Sequence, residues 1–466
     1  VRDVRTVIAG GTVVTPAGPR KLHVVVEDGR IAELADGTTA VGGSGSGFGS
    51  GARTIDASGL LVLPGAVDPH VHFDVPGDDV AADFAAGTAC AAAGGVTTVA
   101  EHPFTDPLVL TAAVYRDKIA RAGAGAIVDF ALWGALAAGS IDEIAGQAAL
   151  GAGGFKAYMP SNDMEWPPAD AATLHAGFAA VAAVGGLALV HAEDRAIVDA
   201  ATAEVRAAGR TDALASADAR PAVAETAAVA QVLAIAAATG ARVHLLHLST
   251  PQAVALVRGA RAGGVDASFE LTAHHLLLDR DDLARVGGLA VCSPPLREPA
   301  VRERLWETVA DGAADMVVTD HCPYDAAGKL DPAVSPLDLP QGVQSLQEYL
   351  SLLHDEAVVR RGLSVAEWSA LTSARPARRL GLYPRKGAIA PGSDADLVLF
   401  DPAAEWVLDP ARQLSVSGWS PYAGRTVRGA VVRTLARGET VFADGVLIGA
   451  PGRGRFLALN GNGAGA

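Results

Sequence analysis

The tightest constraint on how this chain folds is a rhythm that begins near Leu60. Eight short apolar runs follow one another: LLVLPGAVD (60–68), VTTVAEH (96–102), AIVDFALW (126–133), GFKAYM (154–159), GLALVHAE (186–193), RVHLLHLS (242–249), DASFELTAHH (266–275) and DMVVTDHC (315–322). Between them lie helix-like segments such as DFAAGTACAAAG, LTAAVYRDKIARAG and PQAVALVRGARAGG. Strands this apolar are covered on both faces, and repeated strand-then-helix units point to an α/β fold, a (β/α)8 barrel. An open doubly wound sheet would bring a glycine-rich dinucleotide fingerprint after its first strand, and none is there.

The flanks read differently. VRTVIAGGTVV, HVVVEDGRIAELADG and RTIDASGLLVL alternate with period two and turn at Asp28-Gly29. From Gly387 the same style returns in KGAIAPGSDADLVLFDP and TVRGAVVRTLARGETVFADGVLIG, with Asp444-Gly445 as a hairpin turn. Both ends are therefore expected to build one small β-sandwich domain beside the TIM barrel. The expected division is 1–59 and 387–450 for the small domain, 60–386 for the barrel and 451–466 for a flexible tail. GGSGSGFGSGA (42–52) reads as a flexible surface loop.

Charge and cysteine content narrow the partners. A net charge of −15 repels phosphate backbones and anionic lipid, so neither nucleic acid nor a membrane is expected. Cys90, Cys292 and Cys322 are odd in number and widely spaced, so they form no disulfide framework and no CxxC metal motif. VRDVRTVIAGG lacks a signal-peptide apolar core, and the Ala-rich stretches look broken by glycine and charge before a membrane span's length. The expected location is a reducing cytoplasm.

Barrel enzymes place their active sites at the C-terminal ends of the strands. There the sequence sets His70 and His72 after the first run, Lys156 in the fourth, His191 in the fifth, His247 in the sixth and Asp320 in the eighth. Residues two apart on a strand point the same way, so His70 and His72 project together. A His-x-His pair alone is more often a satisfied pair than a metal site; position is what favours ligation here. Four imidazoles and a carboxylate suit one or two divalent ions with nitrogen and oxygen ligands. Lys156 is either an ordinary salt-bridged lysine or, carbamylated by CO2, an anion able to bridge two cations.

PGAVDPHVHFDVPG, GGFKAYMPS, ALVHAED, LLHLST, CSPPLR and VVTDHCPY together resemble the metal-site motifs of the amidohydrolase superfamily. The likeness is to its cyclic amidohydrolases: allantoinase, hydantoinase or dihydropyrimidinase, and dihydroorotase. It implies a binuclear centre of two divalent ions, zinc foremost. His70, His72 and Asp320 would hold the more buried ion, His191 and His247 the more exposed one, and carbamylated Lys156 would bridge both together with a hydroxide. That hydroxide would attack the ring carbonyl, and Asp320 would carry the proton to the leaving nitrogen.

The resemblance also implies substrate contacts from Ser293 and from Gln341 in LPQGVQSL, with His275, His274, His102 and His321 near the site; Ser293 is equally a turn residue before Pro294 and Pro295. Dihydroorotases carry an arginine two residues after the His-x-His pair to hold a carboxylate. Here Asp74 stands in that place and disfavours an anionic substrate. Hydantoinases place a tyrosine five residues after the bridging lysine, and here that residue is Ser161. The reading is a neutral small cyclic amide, allantoin-like ahead of hydantoin- or dihydropyrimidine-like. Relatives are commonly tetramers, so a homo-oligomer is expected. The competing readings are a dihydroorotase and a catalytically silent dihydropyrimidinase-like assembly protein.

Overall fold

A computed structural model of the chain describes residues 5–37, 52–73, 79–160 and 166–459. Asp74, Ser161 and most of the glycine-rich loop lie outside the described residues.

The barrel strands are Ala66–Val71, Val96–Glu101, Asp129–Leu132, Gly154–Tyr158, Leu187–His191, Arg242–Leu245, Ala267–Thr272 and Met316–Val318. Successive strands pair in parallel, and the third continues past Trp133 as Gly134–Ala135 to reach the fourth. The ring closes where Val71 bridges His321 and the His72 N–H donates to the His321 carbonyl at 2.8 Å. Capped helices return the chain between strands. Asp79 accepts from Ala81 and Ala82 at the start of Val80–Ala93, and Thr250 accepts from Ala253 at the start of Pro251–Ala262.

One expectation fails at the first barrel strand. The run 60–68 reads as a single strand, but the chain changes sheets at Gly65. Leu61–Pro64 pairs antiparallel with Leu397–Val407 and parallel with Thr12–Thr15, whereas Ala66–Val71 pairs with Val96–Glu101. The Gly65 N–H donates to Asp396 at 2.8 Å, and the next N–H, of Ala66, donates to Gly95 at 3.0 Å. Only glycine fits this crossing, since a Cβ there would sit 2.1 Å from Thr97 Oγ1.

Strands from both chain ends share one sheet, with Leu61–Pro64 lying between Thr12–Thr15 and Leu397–Val407. Ile8, Val13, Val24, Val62, Leu397, Leu399 and Leu435 pack together as its core. Lys386 fastens this domain to the barrel: its buried ammonium reaches Asp129 of the third barrel strand at 2.6 Å and Asp396 at 2.7 Å. Arg437 pairs with the other oxygen of Asp129.

Two further expectations need correction. Residues 451–459 are not a loose tail. The Leu457 N–H donates to Phe130 at 2.7 Å, the Leu459 N–H to Gly151 at 2.8 Å, and both leucines are buried against Trp133, Leu187 and Leu189. The apolar letters FLAL inside a glycine-rich stretch supply the burial that holds it. Secondly, Leu214–Thr239 is long and apolar enough by length and composition to cross a membrane. It sits in the barrel's helix layer instead, with Glu225 buried and accepting from Ser249 N–H at 2.9 Å and Ser249 Oγ at 2.6 Å.

Candidate metal centre and active-site cavity

The strand ends converge on one cavity of about 370 Å³. His70, His72, Lys156, His191, His247 and Asp320 all line it, as do Ser293, Gln341, Phe104, Tyr158, Arg220 and Cys322. His70 lies within the first strand, Lys156 in the fourth, and His191 closes the fifth. His247 and Asp320 sit two residues past the sixth and eighth strands, in left-handed backbone at φ 37° and φ 49°. A non-glycine residue pays conformational energy for that region, and such outliers gather at functional sites. Here the left-handed turn accompanies two side chains that line the cavity.

His70 Nε2 stands 3.0 Å and His72 Nε2 3.3 Å from the same oxygen of Asp320. Nitrogen and oxygen atoms of these three residues lie within 4.8 Å of one another, all buried. The second half of the cluster follows directly: the His191 ring centroid is 4.5 Å from that of His247, which is 5.3 Å from His70.

Electrostatics separate these groups. Burial pushes the His72 and His191 rings down to about 4 and His247 well below its usual value, so all three are neutral at pH 7 and keep a lone pair to offer. Burial also opposes ionisation of Asp320, but the charge and hydrogen bonds of His70 and His72 outweigh it and hold the carboxyl well below its usual range. Burial lowers His70 too, yet Asp320 and Glu270 on either side carry it up to about 9, which marks this spot as one that attracts positive charge. Lys156 is buried with its ammonium 5.3 Å from the Phe104 ring, and burial brings it down to about 8 despite Asp320 and Glu270. Its neutral amine, the form that adds CO2, is therefore accessible near neutral pH. His247 Nδ1 is buried without a hydrogen-bond partner. Neutral imidazoles, an anionic carboxylate and an orphaned ring nitrogen in one pocket are a donor set that fits divalent metal.

The remaining residues divide. Ser293 faces the cavity and hydrogen-bonds Glu193 at 3.1 Å, and Gln341 lines the wall. His275 does not reach the cavity: Thr272 caps the helix Ala273–Leu277 and turns the ring away, so that it meets Thr272 Oγ1 at 2.7 Å and the Pro294 carbonyl at 3.0 Å. His102 packs tilted against His70 with centroids 4.0 Å apart, and Gln344 turns to the Trp419 carbonyl. Glu193 and Glu270 were missed by sequence reasoning. Glu270 is a carboxylate inside an apolar strand and Glu193 lies two residues past the end of another, a signal that could have found them.

Over residues 61–441 the sequence matches the Amidohydrolase family. The chain is 41% identical to an allantoinase of Rubrobacter xylanophilus over 459 residues, covering 97% of each. It is 34% identical to a D-phenylhydantoinase of Escherichia coli, covering 97% of this chain and 98% of that one. Its fold superposes on the L-hydantoinase (dihydropyrimidinase) of Arthrobacter aurescens with a TM-score of 0.92 at 30% identity, covering 98% of this chain and 100% of the other. With its strand-end histidines converging in a barrel and this likeness running almost end to end, the chain belongs to the amidohydrolase family.

Proposed function

We propose that this chain, a metal-dependent cyclic amidohydrolase, opens the ring of a neutral cyclic ureide, allantoin-like ahead of hydantoin- or dihydropyrimidine-like. The observation that carries the reading is the convergence of His70, His72, Lys156, His191, His247 and Asp320 on one cavity. His70, His72 and Asp320 would hold one cation and His191 and His247 a second, with Lys156 as a carbamate between them; zinc suits these donors. Bound cations of this kind supply a hydroxide nucleophile at neutral pH and polarise the carbonyl under attack.

The chain's own residues do the rest. Asp320 is anionic at neutral pH and accepts the proton of the attacking water; as the ring C–N bond breaks it delivers that proton to the leaving nitrogen. Ser293 and Gln341 bound the space beside it and orient the ring. The outer wall is mixed: Asp199, Thr202 and the bidentate Arg206–Asp338 pair, at 2.7 and 3.0 Å, stand beside Val198, Leu337 and Leu339. The higher identity to the allantoinase than to the D-phenylhydantoinase supports the allantoin-like order. Asp74, two residues after His72, supports a neutral substrate over dihydroorotate.

Ring opening scored on allantoin, hydantoins, dihydrouracil and dihydroorotate tests this, with allantoin the expected best substrate. Dihydroorotate as best substrate would overturn it. Lys156→Ala should abolish turnover, and protein that holds no divalent metal and shows no turnover after zinc, cobalt or manganese supplementation would instead be the silent assembly relative. We also infer a homo-oligomer, a tetramer by family resemblance, in a reducing cytoplasm, consistent with three free, buried cysteines.

A further inference from the structure

Behind the histidines stand two buried glutamates that no step above uses. Glu193 gathers three donors on one oxygen: His191 Nε2 at 2.8 Å, Arg220 Nη1 at 2.6 Å and Ser293 Oγ at 3.1 Å. Glu270, on the seventh barrel strand, takes His70 Nδ1 on one oxygen and His244 Nε2 at 3.0 Å on the other. The His247 backbone N–H also donates to Glu270, at 3.2 Å, and His244 is fixed in turn by Ser268 Oγ at 2.7 Å.

A neutral imidazole has one N–H and one lone pair, so pinning the N–H decides which nitrogen is left to coordinate. With Nε2 tied to Glu193, His191 offers Nδ1. With Nδ1 tied to Glu270, Nε2, the nitrogen that faces Asp320 at 3.0 Å, is the one from which an incoming cation displaces the proton of His70. The two glutamates differ in what else they hold. Beyond the two ligand histidines, Glu270 is anchored by His244, itself held by Ser268, neither of which lines the cavity. Glu193 is anchored by Arg220 and Ser293, which both line it.

We propose that Glu193 and Glu270 are positioning residues, each fixing the tautomer of one ligating histidine and so setting the affinity of its own cation, and that only the Glu193 half is coupled to substrate. This rests on the metal-centre reading above. Glu193 holds a ring of the second ion alone, whereas Glu270 holds the His70 ring of the first and only a backbone N–H of His247, so the two ions should be separable by mutation. Arg220 and Ser293 contact the same oxygen that holds His191, so a ligand moving Ser293 acts first on the His191 ion.

The test is metal content and chelator competition on protein purified with zinc and with cobalt. Variants are Glu193→Ala, Glu193→Gln, Glu270→Gln and Ser293→Ala. Outer hydrogen-bond partners of this kind alter metal affinity about 10–100-fold. The expected result is that Glu193→Ala loses one ion at 10–100-fold lower chelator concentration while keeping the other, with Glu193→Gln partly restoring it because its carbonyl still accepts the His191 N–H. Glu270→Gln should weaken the other ion, shifting a different set of cobalt absorption bands. Ser293→Ala should alter only the bands that Glu193→Ala alters. The glutamine variants keep side-chain volume and serve as the measurement where alanine fails to fold. Wild-type protein with two ions, beside variants that keep both at wild-type chelator resistance or lose both together, would overturn this proposal alone. Wild-type protein that takes up no divalent ion would overturn the functional reading with it.

Discussion

Asp320 makes the sharpest prediction at the scale of single residues. Its carboxylate is shared by His70 and His72, and it is the group proposed to transfer the proton. Asp320→Asn keeps the size and removes the charge, so kcat on the best substrate should fall by about 10²–10⁴-fold, the range for losing a general acid–base group. Steady-state kinetics read this directly. Glu348 makes a second prediction far from the cavity. Burial pushes its carboxyl up to about 7, against hydrogen bonds from Ser420 Oγ and Gln413 Nε2, both at 2.7 Å. Between the ordinary 4.5 and about 7 the folded chain holds a proton that the unfolded chain has released, so Glu348 costs stability as pH rises through that window. Glu348→Gln removes the cost. Its Tm advantage over wild type should grow from pH 4.5 to 7 and then level off, by thermal melts across that range; a pH-independent difference would refute the assignment. That His70, His72, Lys156, His191, His247 and Asp320 would meet at one cavity was legible because each falls in or just after an apolar run, where strand geometry dictates direction. Glu193 and Glu270 were not, because their importance lies in partners on other strands, such as His70 and Arg220, that sequence spacing does not reveal.

Among the elements, the strand Leu61–Pro64 and its neighbour Ala66–Val71 show where periodicity stops informing. The apolar letters run on across Gly65 without a break in character, so the change of sheet is invisible until the partners Leu397 and Val96 are known. Gly65→Ala puts a methyl against Thr97 and should cost about 1–3 kcal/mol, the range for overpacking. Urea unfolding measures it, and an unchanged midpoint would mean that the crossing is looser than its contacts. The short FLAL stretch was illegible for the opposite reason. Its composition is that of a disordered terminus, and only the cleft beside Trp133 and Leu187 gives its leucines something to bury against.

For the whole molecule, the repeat of strand and helix gave the barrel and the matching β style of the two flanks gave the shared sheet. The joint between them could not be read, because Lys386 meets Asp129 only in the fold. That joint is buried, and its loss leaves Asp129 paired with Arg437 alone and strips Asp396 of the ammonium it pairs with in a low-dielectric interior. Lys386→Ala should therefore destabilise by about 3–5 kcal/mol. A denaturant titration would show it, either as a lower midpoint or as separate unfolding of the two domains. The sheet change at Gly65 also matters while the protein is being made. Leu61 pairs with Phe400, roughly 340 residues further along, and at about 5–20 residues per second the ribosome takes on the order of tens of seconds to supply that partner. During that interval Leu61–Pro64 presents an apolar, unpaired edge tethered to a growing barrel. Chaperone demand in the cell should thus track the speed of translation through the barrel, a dependence that no property of the finished enzyme would reveal.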